Sequence, residues 1–290
     1  MGTPFLEIIE QNPERAPEAS VVWLHGLGAD GHDFAGVPAQ LGLPADLAVR
    51  FVFPHAPRIP VTINLGLIMR AWYDVRPSTG SGRPSISSGR AEPAEARAEP
   101  VDAGHPEPFD TVRPEPVEGT NGAQDRQGRR MTFAQDRPAE ARGMDVRGQD
   151  EQGIRRSAGW IRELIDCEVD RGVPARRIVL AGFSQGGAMA LFTGLRHPER
   201  LAGIMCLSGY LPLADSLSAE ATDASRRDIA IFQAHGTYDD VVPCVWARQS
   251  RDILMEAGYR VDWHEYTMAH QVCFEELRDI GVWLKGVLLS

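Results

Sequence analysis

Ser184 stands at the centre of Gly182-Phe183-Ser184-Gln185-Gly186, directly after the apolar run Arg177–Ala181 and directly before a helical pattern. A G-x-S-x-G turn between a strand and a helix lifts the serine hydroxyl clear of the sheet and aims a helix N-terminus at it. By chance alone the same pattern is an ordinary glycine-rich turn; the strand before it and the helix after it favour a nucleophile. A free serine is a weak nucleophile and needs a base, with a third group to orient that base. Two later stretches supply candidates. Asp228–Ala234 runs into His235-Gly236-Thr237-Tyr238-Asp239-Asp240, and Arg260–Tyr266 runs into Thr267-Met268-Ala269-His270. His270 would take the Ser184 proton and pass it to a leaving group, while Asp239 would hold the imidazole tautomer. Spacing alone leaves Asp240 as a rival acid. A fourth component, amide donors for an oxyanion, is offered by His25-Gly26-Leu27-Gly28 after an early strand, with the Leu27 amide pairing that of Gln185. This chemistry is acyl transfer through a serine.

The remaining polar residues fit blander roles. His25, Asp30, His32 and Asp33 have no second histidine at ligand spacing on a helix, so no metal is expected. His235 is read as a strand-end residue packing beneath the triad, and His55, His197 and His264 as loop, helix-end or strand residues. No cysteine falls on the serine turn, and no cofactor is implied.

The elements that must position these groups follow from periodicity. Ser20–Leu24, Val49–Phe53, Arg177–Ala181, Ala202–Leu207, Asp228–Ala234 and Arg260–Tyr266 predict strands, the central ones continuously apolar as strands covered on both faces should be. Gln152–Arg171, with Ile154, Ala158, Ile161, Leu164 and Ile165 on one stripe, predicts a helix, as do Gln185–Arg196, Val245–Ala257 and Phe274–Leu288. Alternation of this kind predicts a mostly parallel, doubly wound α/β sheet with its site on loops at the carboxyl ends of the strands.

Composition narrows the function further. The 290 residues carry a net charge of −10, with no bulk case for nucleic acid or an anionic membrane. No run of 18 apolar residues exists, the first residues do not form a secretory signal, and Leu6 stands where a myristoylation signal wants Ser or Thr. Stable membrane anchoring is therefore not expected. Cys167, Cys206, Cys244 and Cys273 lie far apart, which suits a reducing cytoplasm. One stretch breaks the average: residues 76–143 hold 9 of the 21 prolines and repeat a short proline–acid unit, as in AEPAEA, AEPVDA and PEPVEG. So little apolar surface cannot offset about 1–2 kcal/mol of backbone entropy per residue, and a disordered low-complexity insertion is expected there. The flanks 1–75 and 144–290 then form one domain.

The motifs VVWLHGLGADGHDF, FVFPHAPRIPVTINLGLIMRAWYDV, GFSQGGAMAL, HGTYDDVVP and MAHQVCFEEL together resemble the phospholipase/carboxylesterase family of α/β hydrolases. The resemblance covers nearly everything outside 76–143. It implies an α/β-hydrolase fold and cleavage of carboxylic esters or thioesters of short to medium acyl chains by Ser184, Asp239 and His270. Asp239 gains over Asp240 because the family's acid stands four residues after the histidine of HG. The resemblance also supports Leu27 and Gln185 as the oxyanion pair and implies substrate contacts at Leu65, Met69, Trp72 and Val242. Acyl-protein thioesterase or lysophospholipase activity is the alternative, a non-catalytic binding module the remote one, and homodimerisation is left open. The chain departs from the family's usual pattern at Ala269, where glycine is common, and at Asp240 and Phe274, where proline is.

Overall fold

The computed structural model describes residues 6–77, 148–223 and 228–289. The strands are β1 (Ile8–Gln11), β2 (Ala19–Leu24), β3 (Val49–Pro54), β4 (Arg58–Val61), β5 (Leu67–Arg70), β6 (Ile178–Phe183), β7 (Gly203–Leu207), β8 (Ala230–Gly236) and β9 (Val261–Tyr266). The helices are α1 (Glu151–Asp170), α2 (Gln185–Gly194), the single turn α3 (Leu217–Glu220), α4 (Cys244–Glu256) and α5 (Phe274–Leu289). Seven strands form one sheet in the order β1-β3-β2-β6-β7-β8-β9, and β4 and β5 form a separate hairpin. Every pairing in the large sheet is parallel except that of β1 with β3.

Strand periodicity splits the core in two. Val22, Leu24, Leu180 and Ile204 face one way and pack with Ile154, Ile161 and Ile165 of α1 and Met189 of α2. Val21, Trp23, Val179 and Met205 face the other way, against Leu277, Ile280 and Leu284 of α5 and the loop carrying Phe34 and Leu41. This is the α/β-hydrolase arrangement: helices on both faces of a mostly parallel sheet. At the amino ends of the strands a buried polar cluster clips the layers together. Arg50 of β3 pairs with Glu168 of α1 at 3.0 Å, and Ser20 of β2 donates to the same carboxylate.

All six predicted strands and four predicted helices are present, most within two residues of their expected bounds. The antiparallel edge strand β1 and the β4–β5 hairpin were not expected. The expected insertion, 76–143, lies outside the described residues apart from Arg76 and Pro77. Its two flanks meet. Asp150 caps α1 by accepting from the Gly153 amide at 3.1 Å, and its other oxygen accepts from the Asp74 amide at 3.1 Å. Because loop-closure entropy grows only with the logarithm of length, joining Arg76 to Gly148 through a short glycine-serine link is expected to shift the melting temperature by no more than about 5 °C. Differential scanning calorimetry checks this; a collapse of the transition would show that the excised residues belong to the folded unit.

Glu276, in the first turn of α5, is fully buried. Burial pushes its carboxyl up to about 8, with the nearby Asp279 carboxylate adding to the effect against a hydrogen bond from the Cys273 backbone. The unfolded chain's carboxyl titrates near 4.5, so folding takes up a proton between these values. Stability is therefore highest below the lower value and falls as pH rises through the window, by up to about 1.4 kcal/mol per pH unit. Urea titrations from pH 5 to 8 should show this slope in the wild type and a flatter one in Glu276→Gln; equal slopes would refute it.

Candidate active site

The carboxyl ends of four parallel strands bring the sequence candidates together. Ser184 follows β6 with φ 55° and ψ −119°, a strained conformation for a residue with a side chain, costing on the order of 1–3 kcal/mol. Its amide donates to the Leu207 carbonyl at 2.7 Å and its carbonyl accepts from Ala188 at 3.0 Å, so both neighbouring elements hold the turn. The flanking glycines are required by space. A Cβ on Gly182 would lie 2.3 Å from the Gly186 backbone, and one on Gly186 would lie 2.3 Å from the Leu24 carbonyl oxygen.

Asp239, after β8, is buried, whereas Asp240 is exposed. Asp239 Oδ2 accepts from His270 Nδ1 at 2.7 Å, and Oδ1 accepts from the amides of Val242 at 2.8 Å and Val241 at 3.0 Å. Burial works against its charge, but hydrogen bonds from His235 and His270, the His270 field and the Val242 amide together hold the carboxyl far below the usual range. His270 follows β9, and its ring lies 4.7 Å from that of Phe183, the residue before Ser184. Its Nε2 is buried and has no hydrogen-bond partner among the described residues. Ala269 is not among the residues with positive φ, so alanine in place of glycine adds no backbone strain here.

The turn after β2 is braced on several sides. His25 donates from Nδ1 to the Gly26 carbonyl at 2.7 Å and accepts at Nε2 from the Ala56 amide at 2.9 Å. Burial pushes its ring down to about 4, so it is neutral in this role near pH 7. Trp72 Nε1 donates to the His25 carbonyl at 2.9 Å, and the Gln185 side chain accepts from the Trp72 amide at 2.8 Å while donating to the Tyr73 carbonyl at 2.8 Å. The Gly28 amide donates to the Arg70 carbonyl at 2.8 Å, tying the β4–β5 hairpin to the same turn. Gln185, as the first residue of α2, has no intrahelical acceptor for its amide, and the Leu27 amide has no backbone acceptor among the described residues.

The expected substrate contacts separate into two groups. Leu65, at 99% exposure, occupies the hairpin tip near Leu67 and Ile68, which are also exposed, and Met69 is half-buried beside Gly28. Trp72 and Val242 are each 1% exposed. They cannot line an open groove in this conformation: Trp72 braces the His25 turn, and Val242 supplies an amide to Asp239. His235 lies beneath Asp239, as expected of a packing residue there, but it also makes polar contacts that the sequence reading did not foresee. Its Nε2 donates to the Val242 carbonyl at 2.7 Å and lies 3.2 Å from Asp239 Oδ2. Its four-residue spacing from Asp239 was the available signal. Asp30, His32 and His55 place potential ligand atoms within 4.8 Å of one another. However, His55 Nδ1 already accepts from the Gly31 amide at 3.2 Å and His32 pairs with Asp30 at 2.9 Å.

The sequence profile of the phospholipase/carboxylesterase family matches residues 6–96 and 140–288. The chain belongs to this family. Acyl-protein thioesterase 1 of Neurospora crassa is 35% identical over 262 residues, covering 89% of this chain and 82% of that protein. Acyl-protein thioesterase 1 of Yarrowia lipolytica is 32% identical, covering 93% and 92%. Among solved structures, Arabidopsis thaliana SOBER1 superposes with a TM-score of 0.65 at 24% identity, covering 93% of this chain and 99% of that one. Zea mays acyl-protein thioesterase 2 gives 0.64 at 22%, covering 97% and 99%. As a phospholipase/carboxylesterase family member, the chain is a serine hydrolase of esters or thioesters. The backbone crossing at Gly186 yields a direct test of how this family member builds its turn. Gly186→Ala is expected to destabilise the protein by about 1–3 kcal/mol in urea unfolding, since only backbone could move aside; unchanged stability would contradict the packing described.

Proposed function

We propose that Ser184 attacks the acyl carbonyl while His270 Nε2 takes its proton, with Asp239 fixing the imidazole and stabilising its cation. The observation that carries this reading is the 2.7 Å bond between His270 Nδ1 and Asp239 Oδ2, which leaves Nε2 as the ring's unoccupied nitrogen beside the serine turn. The Leu27 and Gln185 amides receive the negative oxygen of the tetrahedral intermediate. Collapse breaks the C–O or C–S bond, and His270 returns the proton to the departing alcohol or thiol. Water then enters by the same route in reverse, frees the acid and regenerates Ser184.

The substrate in this reading is an ester or thioester of a short to medium acyl chain, held near Met69 and the hairpin. A second reading, thioesterase action on acylated proteins or hydrolysis of lysophospholipids, is supported by the apolar surface at Leu65, Leu67 and Ile68 and by the names of the fungal relatives. Among the described residues no helix is long and apolar enough to cross a membrane. No disulfide joins the four cysteines, which supports a reducing, cytoplasmic setting.

Turnover of p-nitrophenyl butyrate is expected to fall at least about 10⁴-fold in Ser184→Ala and His270→Ala, with the circular dichroism spectrum retained. Asp240→Asn should leave it within about twofold, because that carboxylate is exposed and outside the constellation. Full activity in Ser184→Ala would sink the reading. A chain-length series from C4 to C16, as esters and thioesters, separates the two substrate classes: a maximum at C12 or beyond favours the second.

A further inference from the structure

Asp239 is an unusual place to leave a charge, since its carboxylate has no exposed side-chain surface. A buried carboxylate is tolerable only when its lone pairs are met by donors. Oδ1 has two, the Val241 and Val242 amides. Oδ2 has His270 on one side, and the group facing its other side is His235 Nε2 at 3.2 Å. That imidazole is itself fully buried.

The tautomer of His235 is set by its surroundings. Nε2 faces two acceptors, the Val242 carbonyl and the Asp239 carboxylate, so a lone pair there would meet two negative groups. Nδ1 has no partner among the described residues, so the lone pair there meets no opposing negative group. The Nε2 hydrogen is thus shared between the carbonyl that ends the acid loop and the acid itself. One imidazole clips the loop shut, at His235 and Val242, and fixes the rotation of the carboxylate that points at His270.

We propose that His235 is a positioning residue for hydrolysis, acting through Asp239 to hold Oδ2 in line with His270 Nδ1. It touches no substrate, being sealed beneath the end of β8, so its effect falls on kcat and spares KM. The inference rests on Ser184, His270 and Asp239 being the catalytic triad. A hydrogen bond to a charged group, lost, corresponds to roughly a 10- to 100-fold change in rate.

The experiment compares three variants of the full chain on p-nitrophenyl butyrate. Glutamine can place an amide nitrogen near the position of Nε2, asparagine reaches only as far as Nδ1, and leucine offers no donor. His235→Leu and His235→Asn are expected to lose roughly 10- to 100-fold in kcat with KM changed less than about twofold, while His235→Gln recovers most of the loss. If the leucine variant fails to fold, the comparison of asparagine with glutamine, at matched circular dichroism spectra, decides alone. Wild-type kcat in the asparagine variant, or equal losses in asparagine and glutamine, overturns the proposal. Ser184→Ala is run alongside: turnover surviving there would mean that the triad reading itself is wrong, which is a different failure from a silent His235.

Discussion

A negative charge buried at the end of β8 is the constraint around which the rest of this molecule is arranged. In the proposed mechanism Asp239 must be ionised to stabilise a protonated imidazole, yet ionisation in a dry site is costly unless donors surround it. Both amides on Oδ1 come from the loop just after Asp239, so the loop's course is dictated by the carboxylate it carries. Of the two donors facing Oδ2, His235 lies at the end of β8 and His270 follows the neighbouring strand β9, so two adjacent parallel strands must end at one level. The parallel sheet is thus the means by which distant chain segments deliver donors to one charge.

The serine side of the site meets a different demand, that of backbone held in a costly shape. Ser184 sits at positive φ because a strand must turn directly into a helix, and the glycines beside it let two backbones touch. Strain of this size persists only where the surroundings over-determine it. They do here: α2 is buried along its whole length, and the Gln185 side chain bonds to both Trp72 and Tyr73. In the proposed mechanism the same residue offers its amide toward the reaction, while its side chain is held by the scaffold. A substitution at Gln185 would keep the first and lose the second.

How much of this could be read from the sequence depended on burial. The central strands were legible because both of their faces are covered, which leaves an unbroken apolar run. β1 was not, since Ile8–Gln11 is half-buried at an edge, and β4 was not, since Pro60 interrupts a largely exposed strand. Ser184, Asp239 and His270 stood out as candidates because each lies just past a strand in a fixed order, and the structure does place each there. Trp72 and Val242, expected to line a groove, are buried. Sequence spacing tells which segment borders a site and not which way each side chain turns. His235 escaped for a related reason: a histidine ending an apolar strand looks like packing until the acid four residues later is seen to fold back onto it.

The position of residues 76–143 within this arrangement has its own logic. The segment leaves from Arg76, immediately after the stretch that braces the serine turn, so any pull on its ends would be expected to reach the site. Three contacts stand in the way. The Trp72 carbonyl accepts from Ser157 of α1, the Trp72 amide and Tyr73 carbonyl are held by Gln185, and the Asp74 amide is held by Asp150. Asp74 in turn accepts from the Thr62 amide at 2.7 Å and its hydroxyl at 2.6 Å. Residues 72–74 are therefore held by α1 and its cap, by α2 and by Thr62 in the turn between β4 and β5. All of these bonds are made by residues up to Asp74 or from Asp150 onward, so the brace on the Ser184 turn is built from the two sides of the stretch expected as an insertion.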